Sequence, residues 1–119
     1  MLFYMKPNLI QALTFDFALS IVQLSKVLRT KKEFILSDQV LRSGTSIGAN
    51  VEEALAGSSR RDFVHRLVIA CREARETRYW LRLLEKSDIK GLALTSHLIA
   101  IEDILNILYR IIKTTKASL

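Results

Sequence analysis

Residues 41–54 read LRSGTSIGANVEEA, and the placing of Gly44 and Gly48 within this stretch decides the fold. A glycine inside a helix costs about 1 kcal/mol against alanine, so a helix that holds two must recover the loss through packing. On a helical wheel Leu36, Val40, Leu41, Gly44, Ile47, Gly48, Val51, Ala54 and Leu55 share one arc, which turns both glycines inward. Lacking Cβ, they allow a neighbouring helix nearer than the usual axial separation of about 8–10 Å. A close crossing at Gly44 and Gly48 is the expectation, and a kink at either is the alternative. Ser43 and Asn50 flank the arc, placed either to hydrogen-bond across a helix–helix seam or to sit as polar boundary residues. Ser46 lies further out, where its hydroxyl can bond back to the Arg42 carbonyl.

Outward from this stretch, helical periodicity runs the length of the chain. Leu13, Phe17, Ile21, Leu24 and Leu28 form the stripe of a first helix over residues 8–30, opening near Pro7–Asn8 and ended by the charged run RTKKE. The second helix is expected over 38–56, capped at Ser37 or Asp38 and closed by Gly57. Ser59 and Asp62 have capping-box spacing for a third over 60–86. The segment SDIKG leads to a fourth over 92–115. Long helices on short connections predict an all-α fold, an antiparallel up-down four-helix bundle forming one domain over residues 1–119. The MLFYM start receives no role.

Composition bounds the function. The 119 residues suffice for one buried core, half are hydrophobic, and one proline with four glycines leaves few turns for a β fold. Cys71 has no internal partner, which suggests a reduced, cytoplasmic protein. Neither a secretory signal nor an apolar run of membrane-spanning length is visible, so no membrane partner is expected. A net charge of +6 favours polyanionic partners, nucleic acid first.

The apolar arcs are wider than a bundle helix needs. The stripe of the fourth helix (Leu94, Leu98, Ile101, Leu105, Leu108, Ile112) is extended by Ala100, Ile104, Ile107 and Ile111. Phe15 and Leu19 lie behind the main stripe of the first helix, as do Ile69, Trp80 and Leu83 behind that of the third. Phe15, Leu19, Ile69, Trp80, Leu83, Ile104, Ile107 and Ile111 are therefore the candidate interface, and self-association the expected partner. Membrane-surface binding is the rival, without the basic opposite face it requires.

Seven arginines between Arg60 and Arg82 outnumber Asp62, Glu73 and Glu76, while Lys26, Arg29, Lys31 and Lys32 form a second cluster and Arg110, Lys113 and Lys116 a third. Asp62 with Arg66, and Arg72 with Glu76, have the spacing of pairs along one helix. Arg78 falls near the core arc and is expected to meet an acid of another helix. Lys26, Arg29, Lys31, Lys32, Arg60, Arg61, Arg75, Arg82 and Lys113 are the candidate nucleic-acid contacts; Tyr79 beside Arg75 and Arg82 suits such contact, or ordinary stem packing. Chemistry is poorly supplied. His65 reads as a surface residue, His97 as a packed one, Cys71 as a small hydrophobe, and none has a partner at catalytic or metal-ligand spacing. No catalytic residue, metal, cofactor or small-molecule substrate is expected, and the chain reads as a non-enzyme.

QVLRSGTSIGANVEEALAG followed by SSRRDFVHRLVIACREARETRYWLRLLEKS resembles the four-helix-bundle family of 23S rRNA intervening-sequence proteins. Arg42, Ser43, Ser46, Ile47, Asn50 and Glu53 match the family pattern R-S-x-x-S-I-x-x-N-I-x-E, with Val51 in place of its second isoleucine, and Glu73–Leu84 match its third-helix pattern. The resemblance covers residues 13–115. It implies a bacterial cytoplasmic protein similar to the accessory variability determinant of diversity-generating retroelements. It further implies a homopentameric ring whose basic surface engages RNA or a DNA–RNA hybrid, with a reverse transcriptase as the possible protein partner. Periodicity alone gives only an oligomer. An adaptor for such a protein, or an assembly without ligand, are the alternative functions.

Overall fold

The capping signal at Ser59 is met in the computed structural model, which describes the backbone of residues 2–119 and side chains from Leu9 onward. The Ser59 hydroxyl accepts the Asp62 N–H at 3.0 Å, and α3 runs from Arg60 to Lys86. Before it come α1 (Leu2–Thr30) and α2 (Phe34–Leu55), and α4 (Thr95–Ala117) follows. The described residues are all-α, with α1 packed on α2 and α4, α3 packed on the same two, and neither diagonal pair in backbone contact. Four helices at the corners of a square enclose a core that includes Ile21, Leu28, Val40, Ile47, Leu81, Ile101 and Leu108.

Three helix starts differ from expectation, each for a local reason. Helix α1 begins at Leu2, upstream of Pro7–Asn8, the apolar residues before Pro7 carrying no stop signal. Helix α2 begins at Phe34 rather than Ser37 or Asp38, after Glu33, which makes no side-chain cap. The chain is delivered there by the end of α1. Glu33 N–H reaches back to the Leu28 carbonyl at 2.9 Å and Lys32 N–H to that of Arg29 at 3.0 Å, with Lys32 left-handed at φ 64°. This is a Schellman turn that carries lysine where glycine is usual. Ser37 is turned inward instead of capping, its hydroxyl donating to the Ser25 carbonyl at 3.0 Å and standing 2.6 Å from the Ser25 hydroxyl. Helix α4 starts at Thr95, after a connection holding two left-handed residues, Asp88 and Gly91.

Gly57 follows the end of α2 but not in the left-handed conformation expected of a terminating glycine. A Cβ there would displace the Asp62 carboxylate, the end of a side chain that can move, and would stand 3.1 Å from the Ala54 carbonyl oxygen. Substituting Lys32→Gly relieves the left-handed strain while loosening the unfolded chain, a net stabilisation of about 0.5 kcal/mol. Urea denaturation should show a higher midpoint at unchanged slope.

Gly44 and Gly48 both face α1. A Cβ on Gly44 would stand 2.8 Å from the Ile21 side chain, and one on Gly48 would stand 3.3 Å from the Thr14 carbonyl oxygen. Ser43 crosses the other seam, accepting from the buried Thr77 hydroxyl at 2.9 Å. Asn50 does not cross; its amide donates to Ser46 O at 2.9 Å within α2, and the Ser46 hydroxyl bonds back to the Arg42 carbonyl at 2.7 Å.

Candidate nucleic-acid interface

Cross-helix hydrogen bonds fix where each cation lies along a molecule 47 Å long and about 20 Å across. At one end, Lys31 Nζ donates to the Lys90 carbonyl at 2.7 Å, joining the α1–α2 turn to the α3–α4 connection. At the other, an Arg60 guanidinium nitrogen donates to the Ser118 carbonyl at 3.1 Å, joining the start of α3 to the end of α4. Gln11 with Glu52 lies toward the Arg60 end, and Arg78 with Glu102 lies between the two.

The nine candidate contacts therefore do not form one patch on the chain. Lys26, Arg29, Lys31, Lys32 and Arg82 belong to the Lys31 end; Arg60, Arg61 and Lys113 belong to the Arg60 end; Arg75 lies in the waist. All nine are exposed. Lys86 and Lys90 complete the first end and Arg66, Arg110 and Lys116 the second. Lys86 and Lys90 fall outside every charge run, and the only clue to them in the sequence is a place in the last turn and tail of a helix that the pattern ends at Ser87. Among the described side chains, the Lys31 end holds seven cations against Glu33, Asp38, Glu85 and Asp88, and the Arg60 end holds six against Glu52, Glu53 and Asp62. Between them, Arg42, Arg72, Arg75 and Arg78 share the waist with five acids, Asp16, Glu73, Glu76, Glu102 and Asp103, though Arg72 and Arg75 pair with none of them.

Pairing sharpens the contrast. In the waist Arg42 bridges from α2 to Glu73 at 3.2 Å and to Glu76, and Arg78 pairs with Glu102 of α4 at 2.6 Å. Arg75 reaches the Tyr109 hydroxyl at 3.4 Å. The expected pairs Asp62–Arg66 and Arg72–Glu76 do not form; Glu76 instead takes Arg42 and the Trp80 indole N–H at 3.0 Å. The Trp80 hydrogen bond, then Arg42, hold its carboxyl below the ordinary carboxylate range, burial opposing them. At the ends the one ion pair among the described residues is Arg29–Asp38 at 3.4 Å, with the same guanidinium 5.0 Å from the Phe34 ring centre. Lys31 and Arg60 bond only to neutral carbonyls and keep their charge available.

The candidate interface residues divide as well. Ile104 and Ile111 are buried in the core of the single chain and leave the list, while Ile107 is partly buried against that core. A helix at the corner of a square touches two neighbours in different directions, and α4 needs its broad apolar arc to meet both α1 and α3. Phe15 and Leu19 on α1 and Leu83 on α3 are exposed, with Ile69 and Trp80 half-buried.

Between α1 and α4 runs a groove of about 280 Å³ lined by Leu13, Asp16, Phe17, Ser20, Ser96, His97, Ala100, Asp103 and Ile104. His97 Nδ1 is buried without a hydrogen-bond partner. Burial pushes this imidazole below its ordinary value of 6.5, the Ser20 backbone partly opposing. Below pH 6.5 the unfolded chain takes up a proton that folded His97 resists, so stability held above that pH is lost as pH falls toward the folded value. Denaturation midpoints compared between pH 7.5 and 5 should fall less for His97→Leu than for the parent chain. Cys71 is buried, and burial raises its thiol to about 11, which leaves it protonated and unreactive. Among the described residues no cluster of acids, histidines or cysteine is arranged to hold a metal, and no helix is long and apolar enough to cross a membrane.

Comparison with known proteins agrees with the sequence pattern. Residues 8–113 match the family described as 23S rRNA-intervening sequence protein. A crystal structure of a protein of unknown function from the S23 ribosomal protein family, from Bacteroides thetaiotaomicron, is 43% identical, with a TM-score of 0.85 over 91% of this chain and 98% of that one. The curated proteins offer no match. With the family match spanning all four helices, and a solved relative sharing both fold and sequence, the chain belongs to the 23S rRNA-intervening sequence protein family.

Proposed function

We propose that the protein is a non-enzymatic, cytoplasmic homo-oligomer of antiparallel up-down bundles that binds nucleic acid, RNA or a DNA–RNA hybrid, through its basic surface. The observation that carries this reading is the set of end cations without acidic partners, Lys26, Lys32, Arg82 and Lys86 at one end and Arg61, Lys113 and Lys116 at the other. Phosphate binding by such a surface displaces condensed counterions and weakens steeply with salt.

Assembly is argued from two separate apolar faces. Phe15 and Leu19 lie on α1, while Tyr79 and Leu83 lie on α3, the diagonally opposite helix. Unlike faces docking head to tail close into a ring when the rotation permits. Five copies is the number implied by the family resemblance. Filter binding of short RNA at low salt should show retention that falls steeply as salt rises. Absent retention, or retention indifferent to salt, defeats the reading.

A further inference from the structure

From the axial distribution of charge we infer that the two ends of the bundle are independent polyanion sites, so that the protein bridges two separate nucleic-acid segments. The inference rests on the nucleic-acid reading and specifies how that surface is divided. Among the described side chains each end carries a surplus of three positive charges, whereas the waist has one more acid than it has cations.

Three of the four ion pairs among the described residues lie in the waist, where Arg42 and Arg78 are neutralised by acids on neighbouring helices. The molecule is 47 Å long, several times the screening length of about 8 Å at physiological salt. A phosphate chain held at one end therefore neither neutralises nor repels one held at the other. A backbone running along α1 or α4 would cross the exposed Asp16, Glu102 and Asp103 and lose its attraction midway, whereas on α3 the exposed Arg72 and Arg75 carry no ion pair. Two short contacts at the ends suit the net charge of the three zones, and one lengthwise contact along α3, which would hold a single RNA, is the rival that the test decides. Lys32 adds to this argument: its left-handed backbone favours glycine, and what lysine adds there is a cation at the tip of the molecule.

The test is a sandwich assay with the full chain. One short RNA is tethered to a surface and a second, labelled and non-complementary, is offered in solution. The parent protein should hold both. Lys26→Glu with Lys32→Glu and Lys86→Glu disables one end; Arg61→Glu with Lys113→Glu and Lys116→Glu disables the other. Either set should keep the first RNA, with the salt slope roughly halved, and lose the second. The corresponding glutamine variants serve if charge reversal impairs folding, with helicity and oligomer mass checked in every case. Retention of the second RNA after one end is disabled overturns the inference, as does complete loss of binding from one end with no effect from the other. If the parent retains no RNA at low salt, the nucleic-acid reading falls and takes this inference with it. If it retains the first RNA but never the second, only the two-ended inference falls.

Discussion

Gly44→Val is expected to lower the stability of the bundle by about 3 kcal/mol in urea denaturation. A Cβ at this position meets Ile21 Cγ2 at 2.8 Å and Cγ1 at 2.9 Å, and Ile21 is wholly buried. Leaving glycine gains less than about 1 kcal/mol of helix propensity, and less still for a β-branched residue, so the clash dominates. The pair Gly44→Val with Ile21→Ala tests the cause. Ile21→Ala alone leaves a cavity and costs about 2–4 kcal/mol. Together the two should cost less than their sum by about 1–2 kcal/mol, because the valine fills space the isoleucine vacates. Strict additivity would mean that α1 and α2 do not cross closely at this point. At Gly48 the neighbour is the Thr14 carbonyl, a backbone atom, and no side-chain truncation should relieve Gly48→Val.

Phe15→Glu combined with Leu19→Glu should abolish the proposed assembly without unfolding the chain. Both side chains are more than half exposed, so the folded bundle should change by no more than about 0.5 kcal/mol. Within a buried interface the same carboxylates would be stripped of water with no partner, weakening association at least about 100-fold, or about 3 kcal/mol. Light scattering should move from an oligomeric mass to that of one chain while helicity persists. Ile104→Glu is the contrast: Ile104 lies in the core, and its replacement should unfold the protein rather than dissociate it. An unchanged mass for the double variant would remove α1 from the proposed contact.

The sequence was most legible where a physical signal acts locally. Ser59 with Asp62 gave the start of α3, and the apolar periods gave four helices. Less could be read of α2, whose entry depends on a Schellman turn built with lysine and a preceding glutamate that caps nothing. Breadth of apolar arc was ambiguous in principle, since a corner helix serving two neighbours has the same pattern as a helix with a surface to spare. Ile104 and Ile111 fell on the wrong side of that ambiguity. Ion pairing failed for a related reason: Glu76 has the spacing for Arg72, yet Arg42 from the adjacent helix takes it. The excess of positive charge was readable as a total. Its division between two ends was not, because axial position depends on how the helices pair.

Trp80, the sole tryptophan, bonds through its indole to Glu76 of α3, the carboxylate that Arg42 of α2 also grips, with Tyr79 edge-on at 5.1 Å. The molecule thus carries a built-in optical reporter. Any event that parts these two helices, or drives Glu76 to release the indole, alters the emission of one chromophore at one known place.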